Sequence, residues 1–239
     1  MTYVEGFVVA VPAANKDEYR KHAADAVPLF KEFGVTRHVE AWGDDVPVGK
    51  TTDFQGAVQA KDDEVVVFSW FEYPDKATRD AANEKMMADP RMEEMGASMP
   101  FDGSRMIFAG FDAIVDEGAG GPMGYVDGFL VPVPPANKDA YRAMAQGVAP
   151  VFTDHGATRV VEAWGDDLTD GKVTDYSRAV KAQDGENTVF SWIEWPDKAT
   201  RDAGMAKVME DERMKTPADD MPFDGKRMIY GGFAPILDA

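Results

Sequence analysis

The segment YVEGFVVAVPAANKDEYR, residues 3–20, changes its hydrophobic pattern half-way along. Residues 3–11 alternate between larger and smaller side chains, which predicts a β-strand. Asn15 then offers a helix N-cap, with Glu18 three residues later as its capping-box partner. The sequence therefore predicts a strand followed directly by a helix, which we expect to end at Gly34.

The residues that follow complete a small mixed unit. Residues 35–42 have a strand pattern, and two more strands are predicted at 53–60 and 64–73. Asp75 is placed to cap a second helix, and residues 105–113 form the last predicted strand. The order β-α-β-(β)-β-α-β is typical of an α+β fold whose helices cover one face of a sheet.

This whole unit occurs twice. Residues 3–116 align with residues 125–238 without a gap, and 65 of the 114 aligned positions are identical. We therefore divide the chain into a first repeat (1–117), a flexible linker GAGGP (118–122) and a second repeat (123–239). Each sheet leaves one face uncovered, so we expect the repeats to pack sheet to sheet as a pseudo-dimer within one chain. No obligate homodimer through that face is expected.

Composition narrows the classes of partner. The net charge of −18 repels phosphate groups and anionic lipid, so we expect neither nucleic acid nor a membrane as partner. The apolar runs are much shorter than the roughly 20 residues of a membrane span. The absence of cysteine excludes disulfides and thiolate chemistry. A cytoplasmic protein without a cofactor is the expectation.

Three long motifs carry a family resemblance. EAWGDDVPVGKTTDF, VFSWFEYPDKATRD and MPFDGSRMIFAGF, with their versions in the second repeat, resemble those of the YbaA-like bacterial family, domain of unknown function 1428. The resemblance covers nearly the whole chain, twice. It implies a ferredoxin-like unit and the dimeric α+β barrel superfamily, here with both halves fused. That superfamily includes cofactor-independent monooxygenases, haem-degrading enzymes, dehydratases and small-ligand sensors, so the fold does not select a function.

The aspartates and histidines give weak signals for chemistry. EAWGDD is identical at residues 40–45 and 162–167, but almost everything recurs, so recurrence does not mark a site. We expect Asp44 and Asp45 to solvate a loop and cap its turns rather than bind a metal. No histidine is kept in both repeats, which indicates surface or filler roles for these residues: His22, His38 and His155. Met86, Met87 and Met92 lie at near-helical spacing and are predicted to pack the second helix.

Strand alternation gives the best candidate site. If the slimmer faces of the strands contact the helices, the opposite face carries carboxylates beside tryptophans. These residues are predicted to point between the two sheets and to line any ligand cavity there: Glu5, Glu40, Trp42, Trp70 and Glu72, with Asp127, Glu162, Trp164, Trp192 and Glu194 in the second repeat. Such carboxylates either pair with arginines or take part in a small-molecule site.

Three functions remain open at this point. The first is a protein that binds a small molecule between the sheets, for which an amine or a polar aromatic would suit the acidic and aromatic lining. The second is a cofactor-independent enzyme that uses Glu40 or Glu72 as acid and base. The third is a structural or interaction protein with a filled barrel. A cavity above about 300 Å³ would favour the first two.

Overall fold

Eight antiparallel strands form one closed barrel in the computed structural model, which describes residues 2–183, 185–215 and 220–239. The strands of the first repeat are β1 (Tyr3–Pro12), β2 (Arg37–Asp45), β3 (Glu64–Tyr73) and β4 (Ile107–Glu117). Those of the second are β5 (Tyr125–Val133), β6 (Arg159–Asp167), β7 (Asn187–Trp195) and β8 (Ile229–Asp238). Around the barrel the order is β1-β3-β2-β8-β5-β7-β6-β4. The repeats therefore join at two seams, β2 with β8 and β4 with β6.

Seven α-helices accompany the described strands. The first repeat has α1 (Lys16–Phe33), α2 (Phe54–Ala57), α3 (Lys76–Ala88) and α4 (Pro90–Ala97). The second has α5 (Lys138–Asp154), α6 (Tyr176–Ala179) and α7 (Lys198–Glu210). Within the described residues no helix is both long enough and apolar enough to cross a bilayer.

The first helix ends where the sequence predicts, but it does not begin with the predicted cap. Gly34 ends α1 with a φ of 115°, a left-handed conformation that glycine adopts without a steric cost. Asn15 makes no capping hydrogen bond. Its side-chain amide donates to the carbonyl oxygen of Pro100 at 2.8 Å instead, which ties the start of α1 to the segment before β4.

The strand predicted over residues 53–60 is wrong. The short helix α2 lies there, because the side chain of Asp53 accepts a hydrogen bond from the backbone N–H of Gly56 and caps it. The helix places Phe54 in the barrel core, with its ring edge-on to Phe68 at 5.8 Å between centroids. A buried helix turn and a short buried strand have the same apolar appearance in a sequence.

Aromatic rings fill the middle of the barrel. Phe68 of β3 and Phe190 of β7 stack with their centroids 4.3 Å apart, and the Trp70 and Trp192 rings lie 4.6 Å apart beside them. All four side chains are fully buried. The contact between the two sheets is therefore a packed core at this level.

Two crossed ion pairs lie next to the tryptophans. The Arg37 guanidinium contacts Glu194 of the other repeat at 2.7 Å, and Arg159 contacts Glu72 at 2.8 Å. Each carboxylate also accepts a hydrogen bond from a tryptophan of its own repeat: Trp70 to Glu72 at 3.1 Å and Trp192 to Glu194 at 3.0 Å. Both glutamates are thereby neutralised without a ligand.

Candidate functional site

The ten residues predicted to face one another between the sheets lie on two different sides of the barrel wall. Four of them do point inward and are engaged in the core contacts just described: Trp70, Glu72, Trp192 and Glu194. The other six lie on the outer face, where they are covered by helices or their neighbours: Glu5, Glu40, Trp42, Asp127, Glu162 and Trp164. For these six the expected orientation is wrong.

Strand β1 shows why these six side chains point outward rather than between the sheets. The slim face of β1 was expected to contact the helices, but its Gly6 lies inside the barrel against the ring of Phe190. A Cβ atom at Gly6 would come within 2.8 Å of that ring. Small residues are required inside because four large aromatic side chains of β3 and β7 occupy the interior, and a barrel core has a fixed volume.

A cavity of about 520 Å³ lies on the outer face of the first repeat, between the sheet and the helices α1, α3 and α4. Its walls are mostly sulfur and aromatic side chains: Met86, Met87, Met92, Met95, Met99 and Met106, with Phe7, Phe30, Phe71, Phe101 and Phe108. Met87 is 89% exposed and Phe108 is 50% exposed, which places the opening of the cavity at these residues. Met86 and Met92 pack against the core of the first repeat, as predicted, and also line the cavity. The packing predicted for Met87 is wrong, because this residue is exposed at the cavity rim.

Glu40 is the centre of the polar part of this cavity. Its carboxylate accepts a hydrogen bond from the hydroxyl of Tyr19 in α1 at 2.6 Å, and the Nε2 atom of His38 lies 2.8 Å from its other oxygen. Burial and the negative charge of Glu40 raise the pKa of Tyr19 well above its usual value, so this phenol stays a donor. The three side chains form one hydrogen-bonded group in an otherwise apolar wall.

His38 is neither a surface residue nor simple packing. Its side chain is 1% exposed and lies edge-on to the rings of Phe30 and Phe71. Nδ1 has no hydrogen-bond partner among the described residues, whereas Nε2 contacts Glu40. Burying an imidazole nitrogen without a hydrogen bond costs folding free energy, so packing alone does not account for His38. We therefore include His38 in the candidate site.

Glu5 is a second buried carboxylate in the same cavity. Its nearest partners are weak: the Tyr73 hydroxyl and the Asn83 amide, each at 3.4 Å. Among the described residues no lysine, arginine or histidine nitrogen lies within 4.0 Å of it, and burial raises the pKa of this carboxyl. Its counterpart Asp127 differs, because Arg201 binds Asp127 at 2.7 Å.

The second repeat keeps the carboxylate but not its surroundings. Glu162 accepts a hydrogen bond from Tyr141 at 2.7 Å, as Glu40 does from Tyr19, and burial raises the pKa of Glu162 to about 7. Three other polar cavity positions are replaced by apolar residues: His38 by Val160, His22 by Met144 and Asn83 by Met205. These differences between the repeats are the sequence signal that would have identified His38, Asn83 and the first-repeat cavity.

The paired aspartates of EAWGDD have a structural role that differs from the predicted one. β2 extends through Asp45, and these residues contact the other repeat rather than capping a loop. Asp44 accepts a hydrogen bond from the Tyr125 hydroxyl at 2.9 Å and pairs with Lys198, and Asp45 pairs with Arg201 at 3.1 Å. Among the described residues there is no cluster of three or more side chains suited to a metal ion. The motif therefore stabilises the junction of the repeats.

Both repeats match the same protein family. Residues 2–103 and 124–225 each match the family described as "Protein of unknown function (DUF1428)". The chain belongs to the DUF1428 family. The curated relatives include the uncharacterized protein YbaA of Escherichia coli K12 and that of Shigella flexneri, each 67% identical over 117 residues. That match covers 49% of this chain and 100% of either relative, so this DUF1428 chain has two repeats where the relatives have one.

Solved structures share the fold at low sequence identity. A candidate monooxygenase from Fusobacterium nucleatum aligns with a TM-score of 0.62 at 12% identity, over 99% of this chain and 93% of that one. A candidate monooxygenase from Lactobacillus acidophilus gives 0.59 at 10% identity, over 100% and 95%. An anthrone oxidase-like protein gives 0.55 at 10% identity, over 100% and 92%. These likenesses show that this DUF1428 chain shares its overall fold with those structures, and they establish the fold alone.

Proposed function

We propose that this DUF1428 chain binds a small, largely apolar molecule in the cavity between the first-repeat sheet and the helices α1, α3 and α4. The observation that carries the proposal is the cavity itself, about 520 Å³ in volume and lined by methionine and phenylalanine around Glu40, His38 and Tyr19. Small-molecule sites commonly measure 300–1,000 Å³ and combine apolar walls with a few convergent polar groups. The apolar walls would hold the body of the ligand and Glu40 its polar group.

The site differs from the one expected from the sequence. Between the sheets, stacked aromatic rings and crossed ion pairs occupy the space around Phe68 and Trp70. A filled barrel alone would support a purely structural protein. The cavity outside the barrel supports ligand binding instead. An open apolar cavity, next to a histidine nitrogen that has no hydrogen-bond partner among the described residues, costs folding free energy.

Titration with the neutral apolar dye Nile red tests the proposal. We expect saturable binding of one dye per chain, with the blue-shifted emission of an apolar environment. Ala26→Phe, which places a ring in the cavity wall, should weaken binding about tenfold or more, equivalent to about 1.4 kcal/mol. Val148→Phe, the matched change in α5, should leave binding unchanged. Circular dichroism is used to check that both variants are folded.

Absence of saturable dye binding would overturn the proposal. Equal loss in the Ala26 and Val148 variants would do the same, because it would place the dye elsewhere on the chain. If Ala26→Phe does not fold, Met95→Trp is the second variant, since Met95 also lines the cavity and is only partly buried.

A cofactor-independent enzyme is the second candidate, and the contact between His38 and Glu40 favours it. Glu40 could take a proton from an acidic C–H or O–H of a bound substrate, and His38 at 2.8 Å could carry it onward. The second repeat has Val160 in place of the histidine, so only the first cavity has this pair. The shared fold with proteins described as monooxygenases and anthrone oxidase-like supports testing oxygen chemistry.

Anthrone is a suitable reaction probe, because its oxidation by O₂ to anthraquinone and water needs one proton removed from the ring carbon first. Anthraquinone formation and oxygen uptake measure the rate above buffer. We expect Glu40→Gln to lower that rate about 100-fold, with Nile red binding almost unchanged. Glu162→Gln in the second repeat is the matched control and should retain the rate. If the unaltered protein gives no rate above buffer, this second candidate fails for anthrone oxidation and ligand binding stands alone.

A further inference from the structure

We infer that the ligand of the first-repeat cavity is an amine: an apolar molecule with one positively charged nitrogen. This inference rests on the proposed function, and it names the chemical class of the ligand. It follows from the two carboxylates that face the cavity and from the lack of a direct ion pair to Glu5 among the described residues. It follows also from the second repeat, where Arg201 binds the counterpart Asp127.

The first step is the Glu5 carboxylate, which has no direct ion pair among the described residues. This side chain lies in the cavity wall and its residue is only 6% exposed, but its hydrogen bonds to Tyr73 and Asn83 are both 3.4 Å long. The counterpart Asp127 is held by Arg201 at 2.7 Å and by the Trp195 indole at 2.9 Å. Burial raises the pKa of Glu5, whereas the charge of Arg79 lowers it without a direct ion pair. Glu5 therefore lacks the direct cation contact that Asp127 has in the second repeat, and such a contact would offset part of the cost of burying the carboxylate.

The second step is the orientation of the matching arginine. Arg79 is the first-repeat counterpart of Arg201, and it turns to the Tyr3 hydroxyl at 2.7 Å and to Asp167 at 2.9 Å. Among the described residues Arg79 forms no ion pair with Glu5. Arg79 therefore acts on Glu5 only through its charge at a distance, and the Glu5 carboxylate faces the cavity without the direct guanidinium contact that Arg201 gives Asp127.

The third step is the charge of the whole cavity. Its lining residues include two carboxylates, Glu5 and Glu40, and no lysine or arginine among the residues described. Of the two histidines, His22 has its pKa lowered by burial, which favours its neutral form at pH 7. The cavity lining therefore has two acidic groups and no lysine or arginine among the described residues, a charge pattern that favours a cation over an anion.

The fourth step is the surface beside the cavity. A second groove between α1 and α4 shares His22, Ala26 and Met95 with the cavity and carries Asp25, Glu32 and Glu94. Its single arginine, Arg91, is already paired with Glu32 and Asp89. Together with the overall charge of −18, this groove would attract cations toward the cavity opening. The phenylalanine rings inside can also contact an ammonium group favourably.

Three probes of nearly equal size test the inference: 2-phenylethylamine, 2-phenylethanol and phenylacetate. Their affinities are measured by displacement of Nile red from the full chain at pH 7. We expect the amine to bind about tenfold or more tightly than the alcohol, and phenylacetate to bind most weakly. Equal affinities for amine and alcohol, a preference for phenylacetate, or failure of all three to displace the dye would overturn the inference.

Substitution then locates the cation. Glu5→Gln keeps the size of the side chain and should reduce the preference for the amine to about threefold or less, with the alcohol unaffected. Asp127→Asn, the matched change in the second repeat, should leave the preference intact. A preference that survives Glu5→Gln and also Glu40→Gln would overturn the inference. If the unaltered protein does not bind Nile red, the proposed function is refuted. Failure of the proposed function is thereby distinguishable from failure of the amine inference.

Discussion

Phe68 and Phe190 stack face to face at the centre of the barrel, with ring centroids 4.3 Å apart and ring planes only 4° apart. Each ring also lies on a glycine of the other repeat: Phe190 on Gly6 and Phe68 on Gly128. The same contact thus occurs twice across the barrel. A side chain at either glycine would meet a ring that its stacked partner prevents from moving away.

Gly6→Ala should destabilise the protein by about 2 kcal/mol. A Cβ atom there would lie 2.8 Å from the Phe190 ring, well inside contact distance, and the ring is held by Phe68 on its other side. Urea denaturation measures the loss. Gly147→Ala in α5, where a Cβ meets nothing within 4 Å, is the control and should stabilise by about 0.5–1 kcal/mol through helix propensity. A neutral Gly6→Ala would contradict the packing described.

Arg37→Met should cost about 3 kcal/mol of unfolding free energy. It removes the closest cation from Glu194, whose side chain is almost fully buried, and leaves that carboxylate with Arg159 only at 3.5 Å. Arg20→Met, on the exposed surface of α1, is the control and should change stability by less than about 0.5 kcal/mol. Equal effects of the two changes in chemical denaturation would refute a structural role for the crossed ion pairs.

Glu162 should make stability fall as pH rises. Burial raises its pKa to about 7 from the ordinary 4.5, so between these pH values the folded protein retains a proton that the unfolded chain has released. Stability from this group is complete below pH 4.5 and is lost by pH 7 and above. Glutamine does not titrate, so the Glu162→Gln variant does not lose stability in this way. The free energy of unfolding of the variant minus that of the unaltered protein should therefore increase by up to about 3 kcal/mol from pH 4.5 to pH 8.

Urea denaturation of both proteins across that pH range measures the difference. A Glu162→Gln advantage that does not change with pH would show that the carboxyl titrates at its usual value. The ¹³C shift of the Glu162 carboxyl gives the pKa directly and separates this group from every other one that titrates in the range.

The full chain should be a monomer of 26.2 kDa in light scattering. Each of the eight described strands has a neighbour on both sides, so this part of the chain presents no free strand for pairing with another chain. The YbaA relatives match a single repeat, and we propose that two such chains build the equivalent barrel. A tight dimer of the present protein that dissociates on mutation of Phe68 would contradict this expectation.

The sequence by itself determined the duplication, the strands β1 and β3 and the end of α1 at Gly34. These features depend on local patterns: a gap-free repeat, strand alternation and a left-handed glycine. Alternation also placed His38 and Glu40 correctly on one face of β2, since residues two apart share a face.

Only the tertiary structure decided which face that was. Alternation defines two faces of a strand but not which one enters the barrel. The inner and the outer face of the barrel wall both carry apolar residues and carboxylates, such as Glu72 inside and Glu40 outside. The choice depends on distant packing, in which the rings of Phe68 and Phe190 require the small Gly6 and Gly128 beside them. Glu40 consequently lies under α1 beside Tyr19 rather than between the sheets, because the interior volume of a closed barrel is shared by all eight strands.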